Sequence, residues 1–275
     1  MNISDIARQN LSEVSESLLL PLYIRALETK RPNAILKDQK ALELVQKLKL
    51  DASQFNLARV GEEVQVAILL RNQQFDCITH EYLNCHPNPI VVYLGCGLDT
   101  RFERLDNGQV EWFDLDLSEV IDLRRQLIGD ETDRYHLLPA SALDRAWMDA
   151  ANVHPPRSFL FIAEGLFMFF EPEQVKQLVL DLKNRFSKSE LVFDAFSPFY
   201  VWGNNRRVAR TKIGVKANWA LKSSKELESW SEGIHLLDEW YPFLCPEPRL
   251  AHIQWVRFIP LLSKTTGIFS YQLGS

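Results

Sequence analysis

Two glycines and two acids at defined spacing are the residues in this sequence best suited to do chemistry. Gly95 and Gly97 bracket Cys96 directly after the apolar run Ile90-Val91-Val92-Tyr93-Leu94. Glycines at such a turn let the chain reverse sharply and leave no Cβ between backbone and ligand. About 20 positions later a second apolar run, Val110 to Phe113, ends in Asp114-Leu115-Asp116, where an acid can take ribose hydroxyls. A third run, Ser158 to Ala163, ends on Glu164. The carboxyl end of a central parallel strand faces the ligand crevice, so Glu164 is placed to pair with a ligand ammonium group. The plainer readings are a strand–turn–strand with glycine used only for geometry, and a carboxylate that caps the next loop.

The spacing narrows the ligand. A dinucleotide site carries a third glycine where this chain has Thr100, and Asp99 would repel a pyrophosphate at the helix N-terminus. A cofactor with a ribose but no phosphate avoids both problems, and S-adenosylmethionine is one. Its methionine portion would run along Gly95, Cys96 and Gly97, and its ribose would meet Asp116, followed by Leu117. Asp114, two positions earlier on the same side of the pleat, is kept as a neighbour.

These residues need a sheet to hold them. Ile90–Leu94, Val110–Phe113, Tyr135–Leu138, Ser158–Ala163, Leu191–Phe196, His235–Trp240 and Ile268–Leu273 read as strands. Helices are expected at Thr100–Leu105, Ser118–Leu127, Pro172–Phe186, Ser224–Trp230 and Trp255–Leu262. The alternation is that of an α/β Rossmann-like sheet. From Glu13 to His86 the pattern is helical, with faces at Leu18–Leu27 and Ala41–Leu48 and a long helix from Glu62 to Tyr82. The division expected is a helical extension over 1–87 and a cofactor-binding domain over 88–275. Between Ser197 and Ala220 the periodicity gives way to Phe199, Tyr200, Trp202, Arg206, Arg207, Arg210, Lys212 and Trp219. That stretch reads as a lid or as the lining of an acceptor pocket, a charged surface loop being the alternative.

Composition removes other classes. The 275 residues are 46% hydrophobic and 24% charged, with a net charge of −5. That balance suits a globular enzyme and argues against a nucleic-acid partner. The first ten residues are polar and include Asp5, which does not fit a secretory signal, and no run is long enough to span a membrane. Cys77, Cys85, Cys96 and Cys245 have no paired spacing and suggest reduced thiols in the cytoplasm. Cys77, His80, Cys85 and His86 lack the spacing of a zinc site, so no metal is expected.

The blocks Leu94-Gly95-Cys96-Gly97-Leu98-Asp99-Thr100-Arg101, Arg104-Leu105, Phe113-Asp114-Leu115-Asp116 and Ala163-Glu164-Gly165-Leu166-Phe167 together resemble the leucine carboxyl methyltransferase family. They are closer still to its bacterial O-methyltransferase branch acting in polyketide synthesis. The resemblance implies a seven-stranded class I methyltransferase sheet, mostly parallel with the last strand antiparallel. It implies S-adenosylmethionine as cofactor and S-adenosylhomocysteine as product. An arginine placed like Arg71 would reach the cofactor's methionine carboxylate, with Arg25 as a second cationic contact. Ser141 and Ala142 would hold the adenine edge, although many relatives have aspartate at Ser141 and a helix-capping turn explains the segment equally. Ser118 stands where the family has proline. The expected acceptor is a hydroxyl or carboxylate of a small molecule. A protein C-terminal leucine carboxylate, an NAD-dependent dehydrogenase and a binding module without turnover are the rivals. No residue is fixed as a general base, and the oligomeric state is left open.

Overall fold

A computed structural model of the chain describes residues 15–50, 60–129, 131–151, 157–186, 188–211 and 215–274. Asp5, Glu13 and Lys212, used above, lie outside the described residues. Three helices come first: α1 (Ser15–Thr29), α2 (Gln39–Leu48) and α3 (Glu62–Cys85). The alternating part follows as β1 (Ile90–Leu94), α4 (Arg101–Leu105), β2 (Glu111–Asp116), α5 (Ser118–Leu127), β3 (Tyr135–Pro139), α6 (Ala146–Ala151), β4 (Phe159–Ala163), α7 (Pro172–Arg185) and β5 (Ser189–Phe196). The remainder comprises α8 (Pro198–Thr211), β6 (Ile234–Trp240), α9 (Pro260–Ser263) and β7 (Thr266–Leu273).

The seven strands form one sheet in the order β3-β2-β1-β4-β5-β7-β6. β7 runs antiparallel to both β5 and β6, and the pairs from β3 to β5 are parallel. The order reverses between β1 and β4, so the crevice for a ligand opens at the carboxyl ends of those two strands. Both strands are buried along their whole length because helices cover both faces. Val92, Leu94, Phe161 and Ala163 join one core; Val91, Tyr93, Leu160 and Ile162 join the other. Local signals agree with these elements. Asp38 Oδ1 caps α2 by accepting from Ala41 N at 2.9 Å. Pro172 opens α7, and Gln174 Oε1 accepts from Glu171 N at 2.9 Å.

Three sequence expectations are corrected. The stretch from Ser197, where the sequence shows no apolar periodicity, begins with helix α8, in which the arginines repeat at helical spacing. The helix expected over Ser224–Trp230 shrinks to a single 3-10 turn, Leu227–Ser229. The one expected over Trp255–Leu262 is divided by Pro260, which cannot donate into a continuing helix; a 3-10 helix, Pro248–Phe258, lies before it and α9 after it.

The first three helices are fastened to the glycine turn by buried charge. Asp38, fully buried, accepts from Arg25 Nε of α1 at 2.9 Å, Thr100 Oγ1 at 2.7 Å and Arg104 Nη1 at 2.8 Å. Asp76 of α3 accepts from Arg104 Nε at 2.8 Å and Arg101 Nε at 2.7 Å. Near the other end of the chain Arg249 closes on Glu28 of α1, at 2.8 and 3.0 Å. Charges taken out of water are tolerable only when each is paired, and removing one partner strands the others. Asp38→Ala is therefore expected to lower stability by about 3–5 kcal/mol, read from urea denaturation. A loss of about 1 kcal/mol or less, typical of an exposed pair, would show that the helices are held by packing alone.

Candidate active site

The glycine turn after β1 is closed from behind by β2. Leu115 O accepts from Gly95 N at 2.8 Å and from Cys96 N at 3.1 Å. Gly95 and Gly97 have φ of 68° and 52°, a left-handed backbone that favours glycine. A Cβ on Gly95 would stand 2.9 Å from Leu166 Cδ1, and one on Gly97 2.9 Å from Leu18 Cδ2. Asp116 ends β2 with one oxygen on each side of the turn: Oδ2 accepts from Gly97 N at 2.7 Å and Oδ1 from Leu117 N at 2.8 Å. Burial raises its pKa above the usual carboxylate range, against the lowering effect of those two N–H groups and Arg124. Asp114 is committed elsewhere. It accepts from Trp112 Nε1, Tyr135 Oη and Arg124 Nη2, and Arg124 Nη1 in turn holds Gly97 O and Asp99 O at 2.7 Å. Burial pushes the Cys96 thiol well up, which makes it a packing residue rather than a nucleophile.

The carboxyl end of β4 is the second half. Glu164 collects four donors: Arg71 Nε at 3.0 Å, Asn72 Nδ2 at 3.0 Å, Arg101 Nη2 at 2.7 Å and Tyr93 Oη at 3.4 Å. Asp194 of β5 takes Arg71 Nη1 at 2.9 Å and Gly165 N at 2.5 Å. Arg71 is the part of this cluster that reaches the crevice, with its side chain 20% exposed. Its Nη2 lies beside Gly165, 3.9 Å from where a Cβ would stand. Arg101 is enclosed between the rings of Phe75 and Tyr93, at 5.3 and 4.9 Å, and its Nη1 has no hydrogen-bond partner. Asn72 Oδ1 is also buried without a donor. Asp99 does not face the crevice. It accepts from Tyr93 and Arg104, and although burial opposes this, Arg101, Arg104 and Arg25 hold it well below the usual carboxylate range. Its charge is neutralised inside the protein, so the pyrophosphate repulsion inferred from sequence does not operate. In all, Asp38, Asp76, Asp99, Glu164 and Asp194 face Arg25, Arg71, Arg101 and Arg104. Fully ionised, the cluster carries one negative charge in excess.

The other candidates differ in placement. Arg25 is buried behind the turn, with Nε on Asp38 and Nη2 on Leu98 O at 3.0 Å, so its guanidinium supports the loop instead of presenting itself to a ligand. Ser141 Oγ accepts from Leu143 N at 3.2 Å, and Asp144 N donates to Ser141 O, the turn-capping arrangement. Ala142 is buried next to it and Leu117 is exposed beyond Asp116. At the same edge of the sheet, a cavity of about 330 Å³ opens past β5. Phe196, Tyr241, Phe269, Lys264 and Glu239 line it. Burial raises Tyr241 to about 12, whereas hydrogen bonding from Ser224 and pairing with Lys264 keep Glu239 ionised. Sequence reasoning missed Asn72, Asp76, Asp194 and the structural role of Arg101. Asp194 carried a signal, as a lone acid in the otherwise apolar strand Leu191–Phe196.

Comparison with known proteins gives the family and the fold. The chain is 29% identical to the tetracenomycin polyketide synthesis O-methyltransferase TcmP of Streptomyces glaucescens, over 84% of this chain and 83% of that one. It is 27% identical to the S-adenosyl-L-methionine-dependent methyltransferase dpfgK of Gibberella zeae, over 92% and 90%. Among solved structures, a methyltransferase from Thermobifida fusca superposes with a TM-score of 0.55 at 12% identity, covering 92% of this chain and 94% of the other. A DUF574 family protein from Streptomyces avermitilis superposes at 0.58 and 13% identity, covering 91% and 96%. These two share the fold. The profile of the leucine carboxyl methyltransferase family matches residues 19–182, which include the glycine turn, Asp116 and Glu164, and the chain belongs to that family of S-adenosylmethionine-dependent methyltransferases.

Proposed function

We propose that the protein transfers the methyl group of S-adenosylmethionine to an oxygen of a small molecule, a carboxylate or an acidic phenol. The observation that carries the cofactor site is the buried cluster around Glu164, in which five carboxylates face four guanidiniums and burial raises the Asp194 carboxyl above its usual range. S-adenosylmethionine has an ammonium and a sulfonium against one carboxylate, so its net positive charge complements a cluster with one more carboxylate than guanidiniums. The orphaned Asn72 Oδ1 offers a further acceptor beside Glu164. In this reading Glu164 and Asn72 take the ammonium, Arg71 Nη2 takes the methionine carboxylate, and Asp116 takes the ribose. Gly95 and Gly97 permit close backbone approach, and Leu117 and Ala142 flank the adenine. Arg25 and Ser141 act through the loops that they hold.

The sulfonium supplies an electrophilic methyl group. The protein's task is to hold an acceptor lone pair in line with it and exclude water, and positioning of this kind supplies a large part of the rate. The cavity beyond β5 supports the choice of acceptor. Its aromatic walls suit a planar molecule, and the Lys264 ammonium on its rim is paired with Glu239 at 3.1 Å. Tyr241 stays protonated at neutral pH, and Glu239 is too weak a base for an ordinary alcohol. An acceptor that arrives already ionised needs neither. The relatives' names, one an O-methyltransferase of polyketide synthesis, point the same way.

Transfer of labelled methyl groups to a panel of phenols, aromatic carboxylates and a peptide ending in a leucine carboxylate tests the acceptor class. Label on the small molecules is expected; label confined to the peptide would replace this reading with protein carboxyl methylation. Asp116→Ala is expected to weaken S-adenosylhomocysteine binding by about 1.5–3 kcal/mol in calorimetry, with NAD as a non-binding control. Arg71→Met is expected to lower affinity and melting temperature together, since Glu164 and Asp194 lose a buried partner; a change in melting temperature alone would remove Arg71 from the cofactor site. Because the Asp116 carboxyl is raised, it protonates above the usual carboxylate range and loses an acceptor for ribose. Affinity should fall as pH falls through that value, and Asp116→Ala should flatten that part of the profile. The free protein shows the opposite sign, with this group's contribution to stability declining as pH rises through the same value.

A further inference from the structure

Helix α8 has no fully buried residue. Its inner side is held by Asn205, whose Oδ1 accepts from Ala217 N at 2.9 Å and whose Nδ2 donates to Ala217 O at 2.7 Å. Its outer side carries Phe199, Trp202, Arg206 and Arg210 on successive turns, one above another. Phe199 and Trp202 stack at 6.5 Å, and the Arg206 guanidinium lies 4.8 Å over the Trp202 ring. Arg207 stands beside them. None of these three arginines meets a carboxylate among the described residues. Among the described residues the one other arginine without a carboxylate partner is Arg257, and it too lies over an exposed ring, Phe258, at 4.9 Å.

The two segments meet. Pro198 at the head of α8 and Pro260 and Leu261 of α9 border the same cavity, and Ser197 N donates to Thr265 O at 2.9 Å. Around that junction Trp202 is 58% exposed, Phe258 75% and Leu261 57%, with Ile259 and Phe199 also open. Large apolar side chains exposed on two neighbouring segments mark an interaction surface.

We propose that this face docks on an anionic phospholipid surface. Guanidiniums interleaved with aromatic rings but without the carboxylates that let Arg101 be buried do not suit a dry protein core, whereas the headgroup layer takes both. The net charge of −5 makes the rest of the molecule repelled by such a surface, which turns this face toward it. A second copy fits poorly, because a two-fold contact would set one arginine stripe against another. Nucleic-acid bases stack on exposed aromatic rings but make no use of Ile259 or Leu261. The membrane is touched and not crossed: no helix among the described residues is long and apolar enough to span it.

The test is co-sedimentation of the full chain with vesicles of phosphatidylcholine alone and of phosphatidylcholine with phosphatidylglycerol at three to one, at low and high salt. Binding to the anionic vesicles is expected, falling with salt and weakening about fivefold for each arginine removed. Arg206→Glu with Arg210→Glu should reduce it to the neutral-vesicle level. Phe258→Ser should weaken it with the charge intact. Retained S-adenosylhomocysteine binding and melting temperature in these variants would show that the fold is unchanged. Absence of binding to anionic vesicles, or equal binding by the charge-reversed variant, would overturn the proposal. So would a dimer in light scattering that Phe258→Ser dissociates, or retention on single-stranded nucleic acid that the arginine variant abolishes.

Discussion

Five carboxylates and four guanidiniums kept out of water constrain this molecule more than any other set of contacts. Each is expensive to desolvate, and the set is tolerable only as a whole. Asp38 needs Arg25, Thr100 and Arg104; Arg104 needs Asp76; Arg101 joins Asp76 to Glu164; and Arg71 joins Glu164 to Asp194. The chain of contacts begins in the first helix and ends on the fifth strand. It passes beneath the glycine turn and the carboxyl end of β4. Fold and cofactor crevice are therefore stabilised by the same side chains, and the site cannot be loosened without loosening the attachment of the first three helices.

The same arrangement separates supporting from presenting residues. Asp114 and Asp116 differ by two positions and share a side of the pleat. Asp114 is surrounded by Trp112, Arg124 and Tyr135, while Asp116 reaches the strand end and keeps spare lone pairs beside two backbone N–H groups. Arg25 and Arg71 divide in the same way. Both were candidates for the same ligand carboxylate, but only Arg71 has a nitrogen at the crevice.

The sheet was legible because both faces of its central strands are buried, which writes unbroken apolar runs into the sequence, and because glycines and acids mark where those runs stop. Asp116 and Glu164 were legible as strand-end acids. What was not legible depends on pairing across long stretches of chain. Nothing near Arg25 announces Asp38 as its partner. Nothing near Asp99 shows that it turns inward, and the argument drawn from its charge had to be given up even though the ligand class it favoured stands. The helical form of α8 was not legible because the helix has no fully buried residue. Asn205 holds it where an apolar face would have shown a period, so composition suggested a lid and concealed a regular element.

The pairing of Glu28 with Arg249 has a consequence for the order of assembly. A ribosome makes Glu28 well before Arg249, with β1 to β6 between them and β7 still to come. Until Arg249 emerges, Glu28 has only its local partners, Ile35 N at 2.7 Å and the half-exposed Arg31 at 3.4 Å, so α1 gains its full fastening only after β1 to β5 have been made. α1 thus takes its last fastening from a residue 221 positions further along the chain, which ties the docking of this helix to the making of nearly the whole sheet.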